Sequence, residues 1–167
     1  MTTKTVPFFE YPRLWTDDRD EFLSIIDNVS STGGFILQQA VFDFENELAE
    51  YAETNYSIGV GNATDGMEIF LEAIGINPGD EIIISSHTML ATASAIKVAG
   101  GIPIPVDIKD DDNLISISAI EDAISENTVG IMPTQLNGRV CDMDSIKEIA
   151  DKKGLFVVED AAQALGS

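Results

Sequence analysis

One cysteine, Cys141, stands in 167 residues, so no disulfide framework holds the chain together. One histidine, His87, cannot alone assemble a metal centre or a Ser–His–Asp triad, and no metal site is expected. Arginine is nearly as scarce, with only Arg13, Arg19 and Arg139; nine bases face 29 acids, for a net charge of −20. A field of that sign repels nucleic acid and anionic membranes. No apolar run approaches the ~18 residues of a membrane span. The opening MTTKTVPFFEYPR has no long apolar core of a secretory signal. A cytoplasmic location is the expectation. A Gly-Lys-Ser/Thr triplet is missing as well, which excludes a Walker A loop.

What is present reads as a globular domain: 44% hydrophobic and 23% charged residues, enough apolar content for a real core. Residues 1–55 read as an N-terminal arm with helices. The arm, 1–15, carries Pro7, Pro12 and the aromatics Phe8, Phe9, Tyr11 and Trp15. A helix is expected to start at Asp17 as N-cap and to end before Ser30, with Phe22, Ile25, Ile26 and Val29 at helical spacing. A second covers about 39–54. From residue 56 to 167 short apolar runs at 57–60, 81–85, 102–106, 128–132 and 155–159 alternate with helical patterns at about 64–75, 89–99, 117–125 and 142–153. Such alternation implies βαβ crossovers, an α/β fold and a mainly parallel sheet. Met67, Phe70, Leu71 and Ile74 are the expected buried face of the 64–75 helix, and Asn77-Pro78-Gly79-Asp80 the turn after it.

Four stretches can carry chemistry. Gly59–Gly66, GVGNATDG, joins a strand to a helix, with Thr64 or Asp65 as candidate cap. Free N–H groups at a helix start make an anion site, and the same pattern equally describes a tight capped turn. Ser85–Thr92, SSHTMLAT, holds His87, read as a loop histidine, and Met89, which is able to lie against a flat ring or to face the core. Pro133–Met143, PTQLNGRVCDM, holds an Asn137-Gly138 turn, Arg139 as one of few cations, and Cys141, which we read as structural, its pKa raised by the nearby Asp142 and Asp144. Leu155–Ser167, LFVVEDAAQALGS, reads as a strand buried on both faces that delivers Glu159 and Asp160 to its carboxyl end among small residues. Ligands of open α/β sheets bind at such ends. Strand alternation turns Glu159 away from Asp160, and a desolvated acid there suits a cationic nitrogen.

Together GNATDG, SHTMLATASAI, AGGIPIPVDI, MPTQLNGRVCDM and VEDAAQALGS resemble, in order and spacing, the blocks of the pyridoxal-phosphate sugar aminotransferases of the DegT/StrS group. The resemblance implies a three-layer, mainly parallel fold-type-I aminotransferase large domain, incomplete here and without its small domain, in a homodimer with shared active sites. It implies pyridoxal 5'-phosphate as cofactor. Asp160 matches the partner of the pyridine nitrogen, Ala63 and Thr64 the phosphate-binding positions, and Gln163 a residue near the phenolic oxygen. Met89 matches a position where many members stack an aromatic ring, so methionine there is a departure. The family's Schiff-base lysine follows the VEDAAQA block by a few tens of residues, beyond Ser167, and no lysine present sits in the matching motif. The chain therefore reads as the N-terminal part of a longer enzyme that aminates a nucleotide-linked keto sugar from an amino-acid donor. A cofactor-dependent sugar dehydratase on the same scaffold and a non-catalytic binding or regulatory fragment are the alternatives. Gly33-Gly34-Phe35 is a candidate substrate contact or simply a hinge between the first two helices.

Overall fold

The computed structural model describes residues 6, 7 and 9–167; Phe8 of the expected aromatic arm and Lys4 lie outside the described residues. The chain divides into two compact units, one ending at Gly59 and one spanning Val60–Ser167.

The first unit contains two helices, α1 (Tyr11–Thr32) and α2 (Gln39–Tyr51). α1 starts six residues before the expected Asp17 and runs past Ser30 to Thr32. Pro12 explains the early start: in the first turn its fixed φ suits the helix and its missing N–H costs nothing. The end is set by Gly33 at φ 74°, whose left-handed conformation lets Gly33 N–H donate to Ser30 O (3.1 Å) and Gly34 N–H to Val29 O (3.2 Å). The apolar spacing in α1 is real, yet none of its residues is buried. α2 stops at Tyr51, three residues short of expectation.

Residues 57–60 form no strand. A strand needs a ladder partner for its backbone groups, and the N–H of Gly59 instead donates to Glu45 Oε1 at 2.7 Å.

The second unit is α/β: α3 (Ala63–Ile74), β1 (Glu81–Ser85), α4 (Leu90–Val98), β2 (Ile102–Val106), α5 (Ile117–Ala123), β3 (Thr128–Met132), α6 (Met143–Lys153) and β4 (Phe156–Val157). All pairings are parallel, in the order β2-β1-β3-β4. The strands' side chains alternate between two cores. Ile82, Ile84 and Met132 pack with Met67 and Leu71 of α3 and Ala95 and Ile96 of α4. Ile83, Ile131 and Val106 pack with Ile120 of α5 and Ile146 and Ile149 of α6. The result is the expected three layers, helices on both faces of a parallel sheet. Of the expected buried face of α3, Met67 and Leu71 are buried, while Phe70 and Ile74 reach the surface. Pro103 and Pro105 are tolerated in β2 because it is an edge strand, where alternate residues need no N–H for the ladder.

β4 departs most from expectation. Only two residues pair, with Gly130 and Ile131, and Leu155–Val158 are half-buried rather than sealed on both faces. As the other edge of the sheet, β4 has a neighbour on one side only. Pairing resumes at a single parallel bridge, Thr134 to Asp160.

The chain goes from β1 by α4 to β2, then returns past β1 to β3. Strand order therefore reverses between β1 and β3, and ligands bind outside the carboxyl ends of strands at such a reversal.

Candidate active site

Asp160 is 5% exposed and pinned by its backbone: its N–H donates to Pro133 O (2.9 Å) and its carbonyl accepts from Gln135 N–H (3.0 Å). Its carboxylate accepts from Thr92 Oγ1 at 2.6 Å on Oδ2 and from Ala162 N–H at 3.3 Å on Oδ1. Glu159 goes the other way, as strand alternation requires, and accepts from Gln135 Nε2 at 2.6 Å. Gln135 is itself buried, and its Oε1 accepts from Cys141 N–H at 2.6 Å. One buried amide thus ties the end of β3 to the end of β4.

Beside Asp160 lies a hollow of about 220 Å³ lined by Ala63, Gly66, Met67 and Phe70 of α3 and by Val158–Ala162. α3 begins at Ala63, and its N-cap is Asn62, not Thr64 or Asp65: Asn62 Oδ1 accepts from Asp65 N–H at 3.0 Å. The extended backbone of Asn62 is what allows its short side chain to reach back. The cap satisfies the third N–H of the helix; those of Ala63 and Thr64 have no partner among the described residues. Asn62→Ala should cost about 1 kcal/mol of stability, the usual cost of losing a cap, seen as a lower urea midpoint; an unchanged midpoint would show that the cap carries nothing.

Gln163 is placed at the turn after β3. Its Oε1 accepts from Asn137 N–H at 2.8 Å, so its NH₂ group is the end left to donate to a ligand. Asn137 and Gly138 both have positive φ, in line with the turn expected there. Met89, 60% exposed, is the N-cap of α4 and lines a separate apolar hollow with Leu90, Pro103 and Pro105, not the one beside Asp160. His87 is exposed and does not line the Asp160 hollow. Arg139 donates from Nη1 to Asp112 O at 2.7 Å. Lys147, Lys152 and Lys153 are exposed on α6.

Cys141 is buried, and its thiol is pushed up, as expected, but for another reason. Burial is the main cause, and the acids that add to it are Asp112 and Glu159, not the sequence neighbours Asp142 and Asp144. Folding favours the neutral thiol, so the stability it contributes is present below the unfolded thiol's pKa and lost as pH rises through the folded one. At pH 8 the native thiol should react with a disulfide reagent at least ~10-fold more slowly than in denaturant; equal rates would refute its burial.

Sequence reading missed the threonines. Thr92 is fully buried and Thr134 4% exposed. Thr88 Oγ1 lies 2.7 Å from Thr92 Oγ1 and 2.7 Å from Thr134 Oγ1. The available signal was the pair Thr88 and Thr92, four apart across the N-cap of α4.

The chain as a whole resembles known proteins. A dTDP-3-amino-3,4,6-trideoxy-alpha-D-glucose transaminase of Streptomyces venezuelae is 37% identical over 165 residues, 99% of this chain and 44% of its own length. Among solved structures, DesV of S. venezuelae superposes with a TM-score of 0.95 at 37% identity over 98% of this chain and 44% of that one. The ntda protein of Bacillus subtilis, with bound cofactor PMP, gives 0.94 at 36% identity over 99% and 38%. The chain thus spans less than half the length of these relatives, and its sheet and helices are those of a fold-type-I large domain. The family model for DegT/DnrJ/EryC1/StrS aminotransferases matches residues 16–167, and the chain belongs to that family.

Proposed function

We propose that this chain is the cofactor-holding part of an enzyme that transfers an amino group from an amino acid to a nucleotide-linked keto sugar, using pyridoxal 5'-phosphate. The observation that carries the reading is the buried, hydroxyl-bonded carboxylate of Asp160 beside a hollow whose other wall is the N-terminus of α3. The residues fit the group. A flat ring with a cationic nitrogen at one end and a phosphate at the other needs an acid, a slot with small walls and a donor-rich helix start. Asp160, the Gly66–Ala161–Ala162 walls and the open N–H groups of Ala63 and Thr64 are those parts.

In this reading Asp160 keeps the ring nitrogen protonated, Ala63 and Thr64 hold the phosphate, and Gln163 donates from its NH₂ group toward the phenolic oxygen. Met89 lines the neighbouring apolar hollow instead, so it is given no contact with the ring. When bound, the cofactor supplies an electron sink for the carbon that loses or gains the amino group. Residues 56–167 are then a partial cofactor domain and 1–55 an arm with helices. The enzyme works as a homodimer with shared sites in the cytoplasm; no described helix is long and apolar enough to cross a membrane.

The test is direct. The full-length protein incubated with pyridoxal phosphate should become coloured, and borohydride should remove the colour while leaving the cofactor covalently attached, read as added mass. A protein that stays colourless, or that releases the cofactor after borohydride, overturns the reading.

A further inference from the structure

We propose that Thr92 is a positioning residue for Asp160, the last member of a directed chain of hydroxyls running from Thr134 through Thr88. The direction follows from counting hydrogens. Each threonine hydroxyl has one to give. That of Thr92 goes to Asp160 Oδ2 at 2.6 Å, so at the 2.7 Å contact with Thr88 it can only accept. Thr88 has then spent its hydrogen on Thr92 and accepts from Thr134, also at 2.7 Å. The chain reads Thr134 to Thr88 to Thr92 to Asp160, with every hydrogen aimed toward the carboxylate.

The relay crosses the point where strand order reverses. Thr134 follows β3, Thr88 and Thr92 lie on the segment from β1 into α4, and Asp160 follows β4. Three strand ends are therefore locked to one carboxylate rotamer. Thr92 lies on α4, where its branched Cβ limits χ1 to few rotamers, and the bond to Asp160 holds one of them.

The relay also does something an arginine in its place would not. Among the described residues no Lys, Arg or His forms an ion pair with Asp160. A buried carboxylate needs donors, and here they are one neutral hydroxyl and one amide N–H. They solvate the carboxylate without cancelling its charge, and that charge stays available to a cation in the hollow. That the cation is a protonated ring nitrogen rests on the function proposed above.

Two measurements on the full chain separate the relay from the cofactor assignment. The first uses no cofactor. Unfolding constants of Thr92→Val, Asp160→Ala and the double variant form a cycle, in which the double variant should lose on the order of 10-fold less than the product of the single losses. Multiplicative losses overturn the relay. Should Thr92→Val fail to fold, Thr88→Val, at a half-buried position, replaces it in both measurements. The second uses pyridoxamine phosphate, which needs no lysine to bind. Thr92→Val should bind it on the order of 10-fold more weakly and shift the ring-nitrogen ¹⁵N signal toward the unprotonated form, while Thr92→Ser restores both. Equal affinity and signal in Thr92→Val, or no recovery in Thr92→Ser, overturns the positioning role. A wild type that takes up no pyridoxamine phosphate, with the cycle still coupled, overturns the cofactor assignment and leaves the relay standing.

Discussion

Asp160→Ala is expected to lower turnover of the full-length enzyme by at least about 10²–10³-fold, the scale for removing one preorganised charged partner from a site that develops charge. The fold should survive. Asp160 is tied to Pro133 and Gln135 through its backbone, and alanine keeps both bonds. The Thr92 hydroxyl, left without its acceptor, is the structural cost. A loss of activity with an intact far-ultraviolet spectrum and a cooperative melt supports the electrostatic role. Unchanged turnover would remove Asp160 from the mechanism. Loss of cooperative unfolding would reduce it to a structural residue.

Gly130→Ala is the second large effect expected, about 1–3 kcal/mol of destabilisation, the usual range for overpacking a core. Gly130 lies on β3 beside β4 with an ordinary strand φ, so backbone freedom is not what it supplies. A Cβ built there would come within 2.2–2.5 Å of three carbons at the tip of the Phe156 ring. The ring also packs edge-on with Phe70, centroids 6.3 Å apart, so moving it disturbs a second aromatic contact. Phe70 in turn lines the hollow beside Asp160. A displaced Phe156 therefore acts twice, lowering the urea midpoint and narrowing the ligand slot. Phe156→Leu in the same chain should recover part of both losses by giving the methyl group room. A midpoint equal to wild type would mean that the sheet edge adjusts freely and that the Gly130–Phe156 fit is not needed.

The boundaries of α3, α4, α5 and α6 and of β1, β2 and β3 were legible to within about two residues. Each is signalled locally by an apolar run or helical spacing, and α3, α4, α6 and β3 also by a Gly or Pro stop. Errors fell where a decision belonged to a partner. Residues 57–60 are an apolar run with no ladder, and β4 pairs with β3 over only two residues. α1 starts earlier than expected because Pro12, which reads as part of the arm, is also a favourable first-turn residue.

The site divides along the same line. By itself the sequence determined the parallel α/β order, the acid at a strand end and, through its blocks, the family, since these depend on residue type and on spacing along the chain. Only the tertiary structure decided which groups touch that acid. Thr134 and Thr88 are 46 residues apart, and Thr92 and Asp160 are 68 apart. No local pattern can announce such contacts, because they exist only after β1, β3 and β4 are laid side by side. The same holds for Cys141, whose shifted thiol owes more to burial and to distant Asp112 and Glu159 than to the acids beside it in the chain. A hydrogen bond's worth is set by geometry and burial, and both are properties of the packed sheet.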